Sequence, residues 1–202
     1  MSEIDVHAEP VARPPLDCCL EHSNALPGSA GVKLSQRMLP GLINLRGQPD
    51  ADTFLHSVAE ILGGELPLTP NMTALYDDVT LCWLRPDEWL VMTPDANTVA
   101  TVMMALEQIV GHTAVNDVSG GYAVISLSGS QARQVLAKGC TLDLRPRQFT
   151  IGRCAQSLLA KADVLLIARS EDEFDIVVQR SVADYLWQWL VDAADEYGLA
   201  VW

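Results

Sequence analysis

One order of elements recurs along the chain, and that recurrence constrains the fold more than any single motif. Val79 to Leu84 and Trp89 to Thr93 are apolar, aromatic and β-branched runs on either side of Arg85-Pro86-Asp87-Glu88, which supplies turn chemistry. They predict a β-hairpin. Ala162 to Arg169 and Phe174 to Gln179, around Ser170-Glu171-Asp172, predict a second.

A strand and a helix precede the first hairpin, and a helix follows it. From Gly41, the residues Leu42, Asn44 and Arg46 alternate with Ile43 and Leu45 as in a strand, which Gly47 and Pro49 end. Asp52 or Thr53 can cap a helix running to about Leu62. Phe54, Leu55, Val58, Ile61 and Leu62 form its single apolar stripe, and Gly63-Gly64 stops it. After the hairpin, a helix is expected from Asp95 or Asn97 to Gly111, with Val99, Val102, Met103 and Leu106 inward.

The second half repeats the order. Strand lies on both sides of Ser119-Gly120-Gly121, and a short helix capped by Ser130 runs to about Lys138. The second hairpin follows, then a last helix whose core stripe reads Val182, Tyr185, Leu186, Trp189, Leu190, Ala193 and Tyr197. Paired strands flanked by single helices imply an α+β protein with antiparallel sheets, in a strand-helix-hairpin-helix pseudo-repeat at about 41–111 and 112–197. Both repeats fall in one unit, residues 31–202. Residues 1–30 carry Pro10, Pro14, Pro15 and Pro27 and no periodicity, as expected of a flexible N-terminal arm.

Composition narrows the partners. Hydrophobic residues are 49% of the 202 and charged residues 19%, below the roughly 25% of an average soluble domain. Such a chain is expected to show more apolar surface than one monomer hides. The net charge of −13 repels phosphate backbones and anionic headgroups, so neither nucleic acid nor a membrane is an expected partner. No run approaches the roughly 18 to 20 apolar residues of a bilayer span. Met1 to Pro15 has no basic segment followed by an apolar one, so a cytoplasmic location is expected. Five scattered cysteines, an odd number, suit a reducing compartment without disulfides.

Catalytic constellations are sparse. His7, His22, His56 and His112 are far apart, and C-x-x-C, H-E-x-x-H and both glycine-rich phosphate loops are missing from the sequence. Cys140 and Cys154 bracket a loop and read as packing residues. Ser128-Gly129-Ser130 reads as a strand end feeding a helix cap rather than a nucleophile. Asp117 before Ser119-Gly120-Gly121 either presents a carboxylate to a ligand or belongs to a tight turn, and the turn fits better.

Two features point to contacts. Arg145, Arg147 and Arg153, with Lys138 and Arg133, gather five of 13 positive charges around Pro146 and Phe149. Guanidinium groups beside an aromatic serve as interface anchors or form a solvated loop, and both readings stay open. On the last helix, Trp187, Val191 and Ala194 fall outside the core stripe and the wet face, so a partner surface or a wider core would explain them.

Four blocks carry a resemblance: WLRPDEWL from Trp83, DVSGGYAVISLSGSQARQVLAKGCTLDL from Asp117, GRCAQSLLAKADVLL from Gly152 and RSVADYLWQWLVDAA from Arg180. Together they resemble the gamma subunit of heterotetrameric sarcosine oxidase, from about Gly41 to Tyr197. That family is similar in fold to the folate-binding aminomethyltransferases, the glycine-cleavage T-proteins. The resemblance implies a cytoplasmic complex of alpha, beta, gamma and delta chains that oxidises sarcosine to glycine and hydrogen peroxide, passing the methyl carbon to tetrahydrofolate. It places FAD, FMN, NAD, tetrahydrofolate and zinc in the other subunits and no cofactor, metal or catalytic residue here. Asp117 is then the position to check for a surviving folate carboxylate. A gamma-like subunit of a related N-methyl amino acid oxidase or dehydrogenase, or a free-standing folate-binding protein, are the alternatives.

Overall fold

The computed structural model describes Leu16, residues 30–38 and residues 40–201. In the first half, β1 (Val32–Gln36) and β2 (Gly41–Arg46) lead into α1 (Asp52–Leu62), then β3 (Thr73–Tyr76), β4 (Val79–Arg85), β5 (Glu88–Thr93) and α2 (Ala96–Leu106). The second half runs β6 (Ala114–Asp117), β7 (Tyr122–Ser128), α3 (Ala132–Ala137), β8 (Cys154–Leu159), β9 (Ala162–Ala168), β10 (Glu173–Gln179), α4 (Ala183–Ala194) and β11 (Leu199–Val201).

These strands form two sheets, ordered β3-β4-β5-β2-β6 and β8-β9-β10-β7-β1-β11. Each contains a three-strand meander, then the second strand of its half, then the first strand of the other half, and β11 adds an edge to the six-stranded sheet. The opening strands are thus exchanged: β6 pairs antiparallel with β2, and β1 pairs antiparallel with β7. All pairings are antiparallel except β1 with β11. The α+β architecture and its pseudo-repeat are therefore as expected, with β1, β3, β8 and β11 added and β1 and β6 exchanged between the sheets.

Side-chain alternation along the strands builds three apolar layers. Ile43, Leu45, Leu81, Trp89 and Val91 face α1 and α2 through Phe54, Val58, Val99 and Leu106. Leu42, Cys82, Leu90 and Met92 point the other way and meet Val124, Cys154, Leu165, Ile167 and Val177 of the second sheet. The far face of that sheet, with Ile125, Leu127, Leu166, Ile176 and Val178, packs on α3 and α4. Helices thus cover the outside of two stacked sheets, and most strands are apolar on both faces. Each fully buried Val, Leu or Ile contributes about 1.5 to 3 kcal/mol.

Helix ends differ in detail from expectation. Ala51 occupies the N-cap of α1 without a side-chain bond, while Gly63 closes it at φ 79°, where a glycine adopts the left-handed conformation freely. Asp95 caps α2 by accepting from the amides of Asn97 at 2.7 Å and Thr98 at 3.1 Å. The Thr98 bonds, foremost, hold its carboxyl below the usual range. Helix α2 stops at Leu106, short of Gly111, and Val110 is exposed. Ser130 does not cap α3, which starts after Gln131. Gly129 there has φ 115°, and a Cβ on it would sit 2.4 Å from the Gly31 carbonyl, so this turn is pressed against the start of β1.

The last helix corrects the expected stripe by about one position. Its buried residues are Ala183, Leu186, Trp187, Leu190, Ala193 and Ala194, a regular i, i+3, i+4, i+7 pattern. Tyr185 is exposed and Trp189 half-buried, lying where a Cβ on Gly139 would approach it to 2.6 Å. Trp187 and Ala194 are inside the protein, and Val191 packs partly against the same core. Apolar residues occupy most of the circumference of α4, so the wheel alone does not fix its inner face.

Within the expected arm, Leu16 is wholly buried in the core cluster shared by the six-stranded sheet, α3 and α4, and its amide donates to Gln36 Oε1 at 3.0 Å. At that residue the chain is docked. The rest of the arm before Ala30, with Cys18, Cys19, His7 and His22, lies outside the described residues.

Candidate functional site

Asp117 ends β6 and is exposed. Its Oδ1 accepts from the Ser119 amide at 2.9 Å and the Ser119 hydroxyl at 2.6 Å, and Ser119 Oγ in turn accepts from the Leu42 amide at 2.9 Å. The carboxylate closes the turn through which the chain crosses from one sheet to the other.

Next to this turn the two sheets part into an open cleft of about 720 Å³. Strand alternation sends Asn116 and Val118 into it and Asp117 away. Leu84, Leu90, Tyr122, Gln156, Leu165 and Val177 add to its walls. Glu88 and Asp163 bring carboxylates to its lining; Glu88 Oε1 accepts from Asn44 Nδ2 at 2.8 Å, and its Oε2 lies 3.3 Å from Arg85 Nη1. Oε2 is shielded from solvent and accepts no hydrogen bond from the described residues. Sequence reasoning missed Glu88, although an acid beginning an otherwise apolar strand is a legible signal.

The basic segment divides in two. Arg133 Nη1 donates to the carbonyls of Leu144 at 2.6 Å and Phe149 at 3.2 Å, and its guanidinium lies 4.9 Å from the centre of the Phe174 ring. Lys138 donates to the Ala193 carbonyl, pairs with Glu196 and sits 4.7 Å above the Tyr197 ring. Arg145 forks onto Asp143, with Nε 2.8 Å from Oδ1 and 3.0 Å from Oδ2. Arg133 and Arg145 tie the loop to the fold, and Lys138 ties the end of α3 to the end of α4. Phe149 is buried and stacks on Phe174 at 6.3 Å, so it is a core residue rather than an exposed anchor. Arg147 and Arg153 are exposed and make no side-chain hydrogen bond or ion pair with a described residue. Ile151 is exposed between them in sequence.

Among the interface candidates, then, Trp187 and Phe149 belong to the chain's own core, Val191 packs partly against it, and Arg145 is tied to Asp143 two residues before it. For the three apolar residues the reason is common: a local window cannot show which groups the fold brings together from elsewhere in the chain. Only Arg147 and Arg153 stay turned outward with no such tie.

The Arg145 fork gives a measurable signature. Its side-chain hydrogen bonds, then the Arg145 amide, lower the Asp143 carboxyl from 3.8 to about 2. A depressed carboxyl favours the folded loop above its ordinary value, and that contribution is lost as pH falls from about 4 through about 2. We expect an NMR titration to place Asp143 near the lower value and Arg145→Ala to return it toward the ordinary one. An unchanged titration in the variant would mean that the fork is not populated.

No group of three or more His, Cys, Asp or Glu that could hold a metal occurs among the described residues, and no helix among them is long and apolar enough to cross a membrane. Ser128 ends β7 and Ser130 follows Gly129, whose turn is pressed against the start of β1.

Comparison with known proteins agrees with this geometry. The model of the "Sarcosine oxidase, gamma subunit family" matches residues 46–196. The sarcosine oxidase subunit gamma of Corynebacterium sp. (strain P-1) is 32% identical over 168 residues, 82% of this chain and 81% of that one. A chain of the solved heterotetrameric sarcosine oxidase from Corynebacterium sp. U-96, in complex with pyrrole 2-carboxylate, is similar with a TM-score of 0.82 and 29% identity, over 94% of this chain and 97% of its own. The glycine cleavage system aminomethyltransferase T from Bartonella henselae shares the fold, with a TM-score of 0.59 and 20% identity, over 85% of this chain and 47% of that one. From these matches, covering most of both partners in each gamma comparison, the chain belongs to the sarcosine oxidase gamma subunit family.

Proposed function

We propose that the chain is the accessory gamma subunit of a cytoplasmic heterotetrameric sarcosine oxidase and contributes no reacting group. The complex would demethylate sarcosine oxidatively to glycine and hydrogen peroxide and pass the methyl carbon to tetrahydrofolate. FAD, FMN, NAD, tetrahydrofolate and zinc would be held by its alpha, beta and delta partners. The observation that carries this reading is the near end-to-end likeness to one chain of such a heterotetramer. Local chemistry supports it: the Asp117 carboxylate, the position to check for folate, is engaged by the Ser119 turn. Arg133, Lys138 and Arg145 are likewise occupied within the fold.

The partner surface is assigned to Arg147 and Arg153. Two exposed guanidinium groups without an internal carboxylate, on a chain of net charge −13, suit an acidic patch on a larger subunit. Arg147→Glu with Arg153→Glu should weaken assembly by about tenfold or more, corresponding to about 1.4 kcal/mol per factor of ten, while the variant's own unfolding curve stays unchanged. Unaltered assembly would move the interface elsewhere.

The direct test is purification of the tagged chain from its native cells, recording co-purifying chains, flavin absorbance and sarcosine-dependent peroxide. Three partner chains, flavin and activity are expected. A flavoprotein complex active only on another N-methyl amino acid would keep the subunit role and change the substrate. A colourless, partner-free monomer that binds tetrahydrofolate would overturn the proposal.

A further inference from the structure

At the cleft, the layer between the sheets turns from apolar to polar at one level. Alternation along each strand leaves one inward residue in the apolar layer and the next, two residues away, in the cleft. Leu42 gives way to Asn44 on β2, Leu90 to Glu88 on β5, Cys154 to Gln156 on β8, Leu165 to Asp163 on β9 and Val177 to Gln179 on β10. The floor stays apolar, since Leu90, Leu165 and Val177 are buried and still line the cleft. An apolar floor with a few polar groups converging above it is the anatomy of a small-ligand site. The volume of about 720 Å³ falls within the roughly 300 to 1,000 Å³ of such sites.

These polar groups leave one another largely unsatisfied. Asn44 donates to Glu88, and Gln156 Nε2 to the Leu84 carbonyl at 3.2 Å. The side chains of Asn116, Tyr122, Asp163 and Gln179, which also line the cleft, make no hydrogen bond or ion pair with a described residue.

Glu88 is drawn further in than a solvated sheet end would require. Its side chain is 15% exposed, with Oε1 held by Asn44 and Oε2 shielded from solvent without a hydrogen bond from the described residues. A carboxylate left half satisfied in this way is costly. Its ionic neighbour is Arg85, whose Nη1 stands 3.3 Å from Oε2 without forming a hydrogen bond, on a side chain 63% exposed. Arg85 is thus a loosely held cation that can turn to water and give up its place at Oε2.

We infer that the cleft is a binding site for a small organic cation, an ammonium or amidinium group on an apolar body. The cation replaces the Arg85 guanidinium at Glu88 Oε2, and the body lies on the floor of Leu90, Leu165 and Val177. The unpartnered amides of Asn116 and Gln179 supply carbonyl acceptors for its remaining N–H groups. Two carboxylates against one displaceable arginine, on a chain of net charge −13, select a cation over an anion. The site uses this chain's residues alone and stands apart from the subunit reading.

The test is calorimetric titration of the full chain, alone and in its complex, with benzylamine, set against benzyl alcohol and benzoate as neutral and anionic probes with a similar body. Side-chain amide NMR signals of the free chain locate the site. Benzylamine should bind more tightly than either control and move the signals of Asn44, Asn116, Gln156 and Gln179. Glu88→Gln should weaken it about tenfold or more. Arg85→Ala, which removes the competing cation, should tighten it about two- to fivefold, and both variants should stay folded by circular dichroism. No saturable binding at millimolar benzylamine, equal binding of a control, or weaker binding by Arg85→Ala would overturn the inference. Binding by the free chain that is lost in the complex would give the cleft to a partner's side chain and overturn it too. Native cells that yield no complex would refute the subunit reading and leave the free-chain result standing.

Discussion

Trp187→Asp should leave no folded chain to purify. The indole is wholly buried beneath the six-stranded sheet with Leu186, Leu190 and Phe174 in the same cluster. Truncating a buried aromatic to a small side chain costs about 3 to 5 kcal/mol, and a carboxylate left inside that cluster adds desolvation it cannot offset. The sum is comparable with the roughly 5 to 15 kcal/mol that separates most domains from their unfolded state. Trp187→Phe, which keeps an aromatic ring there, should cost only about 1 to 3 kcal/mol and remain folded. Far-ultraviolet circular dichroism and denaturant unfolding of both variants distinguish the outcomes. A folded Trp187→Asp chain that had merely lost its partners would place the indole on an interface instead.

That residue also shows where the sequence is informative and where it stops. The hairpins β4-β5 and β9-β10 were legible because their strands are covered on both faces and read as unbroken apolar runs. Helix α4 was legible as a helix, but its Trp, Tyr, Leu and Val residues lie on most of its circumference, so its inner face depends on what the second sheet presents. Edge strands carry a weaker signal. In β8 only the end residues Cys154 and Leu159 are buried, with half-buried and exposed residues between them, and β3 has only four residues. The exchange of β1 and β6 between sheets is a non-local fact: Lys33 faces Ser128 and Asn44 faces Asn116, far apart in the chain. No window of local periodicity contains both partners. The basic segment shows the same limit, since the cations that proved structural found their partners at Leu144, Phe149, Glu196 and Ala193. The resemblance carried by the four blocks succeeded where periodicity could not, because it matches the whole chain order at once.

Asp175 is the buried charge that hydropathy passed over, and removing it should be the most costly polar substitution in the protein. It lies inside the apolar strand β10 and is fully buried, yet it accepts from Arg37 Nε at 2.8 Å and Arg169 Nε at 2.6 Å. Arg169 also donates to Thr80 on β4 at 2.6 Å, so one carboxylate positions the guanidinium that crosses from one sheet to the other. In Asp175→Ala, Arg37 can turn to water because its side chain is 41% exposed. Arg169, at 19%, cannot do so without leaving Thr80. Breaking a buried pair from one side costs about 3 to 5 kcal/mol, because the remaining charge stays desolvated. Asp175→Asn keeps the shape and one acceptor, so it should cost about 1.5 to 3 kcal/mol, and Arg37→Ala about 1 kcal/mol or less. Urea unfolding should return that order. If Asp175→Ala fell within about 0.5 kcal/mol of the wild type, the two arginines would be fully hydrated and the sheets held by apolar contact alone; the predicted order instead means that this ionic crossing joins the sheets at the opposite end of the β4 and β9 strands from the cleft.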